Sequence, residues 1–233
     1  MFSYQKSVAI MGTVIDAGTE DLFYNDMASV YVQYAKKAQA NSEPETIVKG
    51  DTRITVNRVD ETDDGKDFII YQNYNTKALI NRTAFSNSKR CVVQDTIPTF
   101  NWKLESDKKR IGLYDCQKAT MTFRCANYTV WFTTAIPLSI GPAKLSGLPG
   151  LIVEAYNERA DMTYKLLIVN YPTSTKTYKI APPYLGDPVY SYEAYRKIEV
   201  VEQDKMMKFL SGSADALPGT KPVVNFPECL DGK

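Results

Sequence analysis

Two neighbouring residues carry side chains that could do covalent chemistry, Cys116 and Lys118. A cysteine reacts as the thiolate, and a nearby ammonium group lowers the pKa of the thiol. Nucleophilic cysteine catalysis also needs a positioned base. The chain contains no histidine, which excludes Ser-His-Asp and Cys-His catalysis as well as zinc sites built on imidazole. The sequence therefore predicts no catalytic residues, no metal and no cofactor, and it leaves open whether the protein is an enzyme.

Carboxylates offer a second route to catalysis. Paired carboxylates hydrolyse glycosidic bonds, and the candidates here are Asp95, Glu105, Asp115 and Glu154. The sequence does not set the distances between them. The alternative function is therefore a hydrolase that uses Cys116 with neighbouring lysine or carboxylate groups, and it requires these side chains to converge in one cleft.

Aromatic side chains favour binding over catalysis. Trp102, Trp131 and Tyr114, together with Lys118, are candidate ligand-binding residues. An aromatic concave face on a curved sheet forms a pocket for an apolar ligand. The alternative interpretation is that these aromatic residues belong to the core.

The overall composition bears on partners and location. Lys and Arg total 28, and Asp and Glu total 27, so no strong field favours nucleic acid or an anionic membrane. No apolar run approaches the roughly 20 residues of a membrane-spanning helix. The N-terminus lacks a basic region followed by a long apolar stretch, so we expect a chain that is either cytoplasmic or already processed. The sequence does not indicate an oligomeric state.

Alternating apolar and polar residues, with many β-branched and aromatic side chains, predict strands along most of the chain. An opening meander is predicted at 8–15, 22–24 and 29–34, with a turn at 16–21 and solvated loops at 36–46 and 59–67. Further strands are predicted at 68–74, 78–85, 90–95, 118–123, 128–133, 151–156 and 163–169. This order predicts a mainly β fold in which an antiparallel curved sheet forms a half-barrel or a sandwich.

One helix is predicted near the C-terminus. Ser191 is a candidate N-cap, and apolar residues recur after it at about a 3.6-residue period as far as Leu210. Residues 211–233 are rich in Gly, Pro and Ser, and we expect an irregular tail that lies on the surface or is disordered. A chain of 233 residues favours one domain. The predicted division is thus a β-rich domain at 1–210 and a tail at 211–233.

A long segment of the chain resembles one protein family. Between residues 79 and 156 the sequence contains LINRTAF, VVQDTIPTFNWKLE, KKRIGLYDCQKATMTFR and YTVWFTTAIPLSIGPAKLSGLPGLIVEAY. In order and spacing these blocks resemble the GLPGLI family, which is named for the motif at residues 147–152 here. The resemblance implies a secreted, mostly β, extracytoplasmic protein of Gram-negative bacteria that is made with a signal peptide and loses it. It implies no particular activity.

The GLPGLI motif itself predicts a turn. In the segment 148–151, Pro149 presets φ at the first central position, and Gly150 supplies the positive φ that a type II turn requires at the second. Together with Gly147, these residues are interpreted as a structural motif that leads the chain into the next strand. A functional alternative is a nest of backbone N–H groups that binds an anion with the help of Lys144.

Four cysteines are candidates for disulfides, Cys91, Cys116, Cys125 and Cys229, and three complete pairings are possible. The oxidising compartment that the resemblance implies favours disulfides. Nine residues of extended strand at about 3.3 Å each place Cys116 and Cys125 about 30 Å apart, too far to bond. We therefore hypothesise that Cys91 pairs with Cys116 and that Cys125 pairs with Cys229. Cys116 occupies the family's recurring cysteine position, whereas the family often has glycine at the position of Cys125.

These observations favour a non-catalytic, extracytoplasmic binding or accessory protein of the cell envelope. We expect it in the periplasm or at the outer membrane, with a peptide, a lipid or an outer-membrane receptor as its partner. The reason is an aromatic β surface without a catalytic constellation. A cytoplasmic location is the alternative.

Overall fold

The computed structural model describes residues 1–10, 13–34, 45–49, 52–56, 66–158, 162–169, 178–183 and 186–213. Within these ranges the chain forms fourteen strands and one helix. In chain order they are β1 (Phe2–Ile10), β2 (Thr13–Tyr24), β3 (Ala28–Gln33), β4 (Glu45–Lys49), β5 (Thr52–Val56), β6 (Phe68–Asn73), β7 (Ala78–Ala84), β8 (Arg90–Thr96), β9 (Lys103–Ile111), β10 (Tyr114–Phe123), β11 (Ala126–Thr133), β12 (Leu151–Asn157), β13 (Met162–Val169), β14 (Val189–Ser191) and α1 (Tyr192–Ser213).

Twelve of these strands form one sheet, in the order β14-β8-β7-β6-β3-β2-β1-β13-β12-β11-β10-β9. Its neighbouring strands pair antiparallel except β14 and β8, which are parallel. The two end strands, β14 and β9, do not pair with each other, so the sheet is open. Strands β4 and β5 form a separate two-stranded sheet. The predicted mainly β, antiparallel fold with one C-terminal helix is confirmed.

The sheet curls until its distant strands approach each other. Arg124 follows β10 and Asp95 lies on β8, and eight strands separate β8 from β10 in the sheet order. The Arg124 Nη2 atom nevertheless lies 2.7 Å from Asp95 Oδ2. A flat sheet would hold these strands far apart. The contact therefore shows that the sheet is curved, with a concave face and a convex face.

The main core fills part of the concave face. Tyr4, Val130 and Phe132 are completely or almost completely buried there. The connection between β11 and β12, at residues 134–150, adds Leu145 and Leu148 to the same core. The phenol of Tyr4 donates a hydrogen bond to the Ile152 carbonyl at 2.8 Å. This core therefore joins the first strand to the strand that follows GLPGLI.

Two glycines of the GLPGLI region have different roles. Gly147 has a positive φ of +91°, whereas the φ angle of Gly150 is not positive. A Cβ on Gly150 would lie 2.0 Å from the Thr133 carbonyl oxygen. The predicted type II turn with positive φ at Gly150 is therefore wrong. Glycine is needed there because the backbone passes directly against β11.

The opening meander differs from its prediction. The apolar run at 8–15 is not one strand, because β1 ends at Ile10 and β2 begins at Thr13. In the sequence this run is interrupted by Gly12, a common turn residue. Because apolar residues flank Gly12 on both sides, the apolar pattern predicted one continuous strand instead of a turn.

Residues 16–21 are not the predicted turn but part of β2. The pairing of β1 with β2 shifts register between Lys6 and Ser7, opposite Gly18 and Asp16. A β-bulge of this kind lets a strand absorb an extra residue. Strand β9 was not predicted, since it is an edge strand whose many charged residues hide the alternation.

Helix α1 begins as predicted. The Ala194 backbone N–H donates to the Ser191 hydroxyl at 3.2 Å, which is N-cap geometry. Tyr195 and Ile198 of the helix pack on Phe85 of the sheet. The helix continues to Ser213, three residues past the predicted end of the β-rich domain, and the rest of the predicted tail lies outside the described residues.

The cysteines do not follow the pairing hypothesis. Cys91 and Cys116 are free and buried, so the proposed bond between them is wrong. Cys91 packs beside Phe85 under α1, and eight strands separate β8 from the strand of Cys116. Cys125 is disulfide-bonded. Its proposed pairing with Cys229 stays a prediction, because Cys229 lies outside the described residues.

We expect Gly150→Ala to destabilise the protein by about 3 kcal/mol, the upper end of the range for overpacking, because the added methyl group meets backbone that cannot rotate away. Gly147→Ala is the matched control. Its Cβ would come no closer than 3.6 Å to Trp102, so only the positive φ is strained, at about 1 kcal/mol. Urea unfolding monitored by circular dichroism measures both. Equal effects of the two changes would contradict the close approach at Gly150.

We expect N-ethylmaleimide to modify Cys91 and Cys116 only after denaturation, because both thiols are buried. Cys125 should remain unmodified in denaturant until a reductant is added, because it is disulfide-bonded. Peptide mass mapping after each step checks the assignment. Modification of Cys125 without reductant would refute it.

Candidate functional site

The curled sheet encloses a cavity of about 530 Å³ on its concave face. We call it the concave cavity. Its walls come from strands on both halves of the sheet, from α1 and from the 134–150 connection. Aliphatic side chains line it together with polar ones, and two groups of charged and tyrosine side chains among the polar residues are described below. The aliphatic residues include Ile70, Leu79, Val93, Leu145 and Met162.

One polar group is built around Arg124, and we call Asp95, Arg124, Lys144 and Tyr192 the Arg124 cluster. The Arg124 guanidinium lies 2.7 Å from the Asp95 carboxylate. It also lies 3.4 Å from the centre of the Tyr192 ring at the start of α1, a cation–π geometry. The cluster thereby joins β8, the β10–β11 turn and the helix at one place on the cavity wall.

Lys144 is the most perturbed base of this cluster. Burial first, and then the positive charge of Arg124, lower its pKa from 10.5 to about 7, while Asp95 acts in the opposite direction. Low-polarity surroundings penalise the charged form of an amine. Lys144 therefore changes charge near neutral pH inside the cavity.

A strained turn places Arg124 at this position. Phe123 pairs directly with Ala126, so only Arg124 and Cys125 connect β10 to β11. The strands predicted at 118–123 and 128–133 imply a hairpin connection of four residues instead. Arg124 and Cys125 both have positive φ, at 47° and 57°, which is the geometry of a type I′ hairpin turn. Positive φ favours glycine, which is consistent with the glycine that the family often has at the position of Cys125.

The second polar group consists of Lys6, Glu20, Tyr31 and Tyr164, and we call it the Glu20 cluster. Lys6 Nζ lies 3.1 Å from Glu20 Oε1, and only 2% of Glu20 is exposed. Burial first, and then the Glu20 charge, raise the pKa of Tyr31 well above its usual value. Tyr31 is therefore a neutral phenol at physiological pH.

The four sequence-predicted binding residues lie away from the concave cavity. The Trp102 indole N–H donates to the Ser146 carbonyl at 2.8 Å. Trp102 and Tyr114 both pack against the main core, and neither lines the cavity.

Trp131 and Lys118 are brought together on the convex face. They are direct cross-strand partners, and the Lys109 ammonium lies 4.3 Å from the centre of the Trp131 ring. Lys118 Nζ forms an ion pair with Asp107 at 3.3 Å. Ligand binding by Trp102, Tyr114, Trp131 and Lys118 stays a prediction.

The side chains of the hydrolase alternative are only partly brought together. Burial raises the pKa of the Cys116 thiol, which disfavours the thiolate. The charged groups that act on this thiol are those of Lys109, Asp115 and Glu154. Asp95, in contrast, is on the wall of the concave cavity.

Metal and membrane features are also absent from the part of the chain that the structure describes. There, His, Cys, Asp and Glu do not form a group of three or more that could hold a metal ion. Over the same residues, no helix has the length and apolar character needed to cross a membrane.

The sequence did not reveal the cavity residues. Glu20 falls in a segment that was predicted to be a turn, and Arg124 falls in the predicted hairpin connection. Lys144 was considered only as part of an anion-binding nest. The alternation of inward and outward residues along β2, in which Glu20 and Leu22 share the buried concave face, could have revealed Glu20. Gly18 interrupts this alternation and predicts a turn instead.

The fold and cavity define an open, mostly antiparallel β protein with a helix across part of its concave face. Residues 124–154 match a family described as "Protein of unknown function (Porph_ging)". This match is partial, and it confirms the resemblance to the GLPGLI family over the segment from Arg124 through the motif. No curated protein matches the chain.

Two solved structures are similar in fold. The first, described as "Structure of PNGF-II in P21 space group", has 12% identity and a TM-score of 0.53, over 86% of this chain and 33% of that one. The second, "Structure of PNGF-II in C2 space group", has 12% identity and a TM-score of 0.49, over 87% of this chain and 33% of that one. The chain therefore spans about a third of the length of these structures, and the likeness concerns fold alone.

We expect Lys144→Met to stabilise the protein most at low pH. The folded-state pKa of about 7 lies below the unfolded value of 10.5, so the unfolded chain binds this proton more tightly. The protonated lysine thus opposes folding fully below pH 7, and this cost shrinks as the pH rises from 7 to 10.5. Urea unfolding at pH 6, 8 and 9.5 should show a decreasing advantage of the variant over wild type.

Lys165→Met is the control for the loss of one surface charge, because Lys165 is exposed on β13. A gain in unfolding free energy for Lys144→Met that is the same at every pH, or that equals the gain for the control, would contradict the lowered pKa of Lys144.

Proposed function

We propose that this protein is a non-catalytic, extracytoplasmic binding protein whose ligand occupies the concave cavity. The observation that carries the proposal is the cavity itself, about 530 Å³ in volume with two polar clusters on its walls. Ligand pockets span about 300–1,000 Å³ and combine apolar walls with a few placed polar groups. The concave cavity meets both criteria.

The lining supports an amphipathic ligand. Ile70, Leu79 and Met162 offer apolar contact along the walls, while the Arg124 and Glu20 clusters offer charged and hydrogen-bonding groups. A lipid-like molecule or a short peptide segment with an apolar body fits this distribution better than a broad protein receptor, because an enclosed cavity buries most of a small ligand.

The disulfide supports an extracytoplasmic location. Cys125 is disulfide-bonded, and disulfides persist in oxidising compartments such as the periplasm. The partial family match supports the same location, since the GLPGLI resemblance implies a secreted protein. We place the protein in the periplasm or at the outer membrane.

The non-catalytic character rests on the protonated state of the Cys116 thiol. Burial raises the pKa of this thiol, which disfavours a nucleophilic thiolate. Lys109, Asp115 and Glu154 act on the thiol, but Lys109 and Glu154 pair with each other at 3.3 Å. Lys118 pairs with Asp107, so the geometry gives the hydrolase alternative little support.

Displacement of an apolar dye tests the proposal. We expect N-phenyl-1-naphthylamine to bind with about one site per chain, and Asn81→Trp to reduce its affinity at least about tenfold. Asn81 lies on the concave wall between Ile70 and Val93, so an indole there fills space that the dye needs. Fluorescence titration measures both quantities.

Thr129→Trp is the matched control, because Thr129 lies on β11 between the inward-facing Tyr128 and Val130 and faces the convex side. Its dye affinity should equal that of wild type. Absence of saturable binding, or binding that Asn81→Trp leaves unchanged, would refute the proposed function.

A further inference from the structure

The Glu20 cluster contains two buried polar atoms whose hydrogen-bonding capacity is unused. Glu20 Oε2 and the Tyr31 hydroxyl have no hydrogen-bond partner among the residues that the structure describes. Their residues are only 2% and 4% exposed, and both line the concave cavity. A buried polar group without a partner costs about 1–3 kcal/mol. A ligand that satisfied both atoms would recover this energy on binding.

The surrounding residues hold these two atoms in place. Glu20 is anchored through its other oxygen, since Lys6 Nζ lies 3.1 Å from Oε1. The Tyr31 ring packs against Tyr4 and Tyr164, with ring centres 6.3 and 6.4 Å away. A side-chain contact with Glu20 contributes to the raised pKa of Tyr31, but this contact falls outside good hydrogen-bond geometry. Glu20 Oε2 and the Tyr31 hydroxyl therefore both keep capacity for a further partner.

Nearby hydroxyl groups already have partners. The Tyr4 phenol donates to the Ile152 carbonyl at 2.8 Å, and the Tyr164 phenol contacts the Met162 sulfur at 2.9 Å. Neither supplies the missing bond to Glu20 or Tyr31. Among the described residues that line the cavity, only Glu20 and Tyr31 carry a buried polar atom without a hydrogen-bond partner.

The two atoms define the chemistry of the group that would complete them. A carboxylate only accepts hydrogen bonds, so the ligand must donate to Glu20. A neutral phenol both donates and accepts, so the ligand can also accept from Tyr31. An alcohol does both through a single oxygen. Lys6 and Glu20 already neutralise each other, so the pair offers no net charge that would favour a charged ligand over a neutral one.

We propose that the Glu20–Tyr31 pair binds a neutral hydroxyl group of the ligand, so that the concave cavity selects amphipathic alcohols over compounds of equal apolar size that lack a hydroxyl. This inference rests on the proposed function of the cavity. The hydroxyl donates to Glu20 Oε2 and accepts from the Tyr31 phenol, while the aliphatic wall at Ile70 and Leu79 contacts the apolar part.

Competition between two matched compounds tests the selectivity. Octan-1-ol and 1-fluorooctane have the same chain, but the fluorine atom cannot donate a hydrogen bond and accepts one only poorly. In displacement of N-phenyl-1-naphthylamine from the wild-type protein, we expect octan-1-ol to bind about tenfold more tightly than 1-fluorooctane, the effect of about one net hydrogen bond. Tyr31→Phe should reduce this preference to about threefold or less, because the alcohol then keeps only the bond that it donates to Glu20.

Tyr71→Phe is the matched control, because it removes a phenol oxygen from a buried tyrosine in a different cluster that is not part of the cavity wall. It should keep the full preference. Equal affinity of wild type for octan-1-ol and 1-fluorooctane would overturn the inference, as would an undiminished preference in Tyr31→Phe. If neither compound displaces the dye and the dye itself does not bind, the proposed function fails instead.

Discussion

The ion pair between Arg124 and Asp95 is the contact on which the shape of this protein depends. It joins strands that have eight other strands between them in the sheet, and it therefore converts an open sheet into a wall around a cavity. The two side chains are 17% and 18% exposed, between a surface pair worth about 0–1 kcal/mol and a buried pair whose disruption costs about 3–5 kcal/mol. The Tyr192 ring against Arg124 extends the same junction to the helix.

The segment that matches the family coincides with this junction. It begins at Arg124 and ends at residue 154, and so it contains the strained turn, Lys144 and the GLPGLI motif. The motif holds the 134–150 connection against β11 through the close approach at Gly150. That connection in turn supplies Lys144 to the cavity wall. A motif that is structural in itself thus shapes the place where we expect the ligand.

The sequence predicted the strands of the fold better than the residues of the site. Strands with clear alternation, such as β7 and β11, and the helix capped by Ser191 depend on local pattern, and local pattern was sufficient to find them. The cavity depends on which strands become neighbours. The pairing of β1 with both β2 and β13 brings Lys6, Glu20 and Tyr164 together from distant parts of the chain. No local pattern encodes that pairing. The sequence therefore predicted binding at Trp102 and Trp131, because tryptophan is a common residue type in binding sites.

The most direct test of this account is where a bound ligand touches the protein. Amide chemical shifts of ¹⁵N-labelled protein, recorded during titration with octan-1-ol, report every contacted segment. We expect the chemical-shift changes to concentrate on the concave face, at Glu20, Tyr31 and the residues around Arg124. Changes confined to the convex surface around Trp131 and Lys118, or the lack of any saturable change, would contradict it.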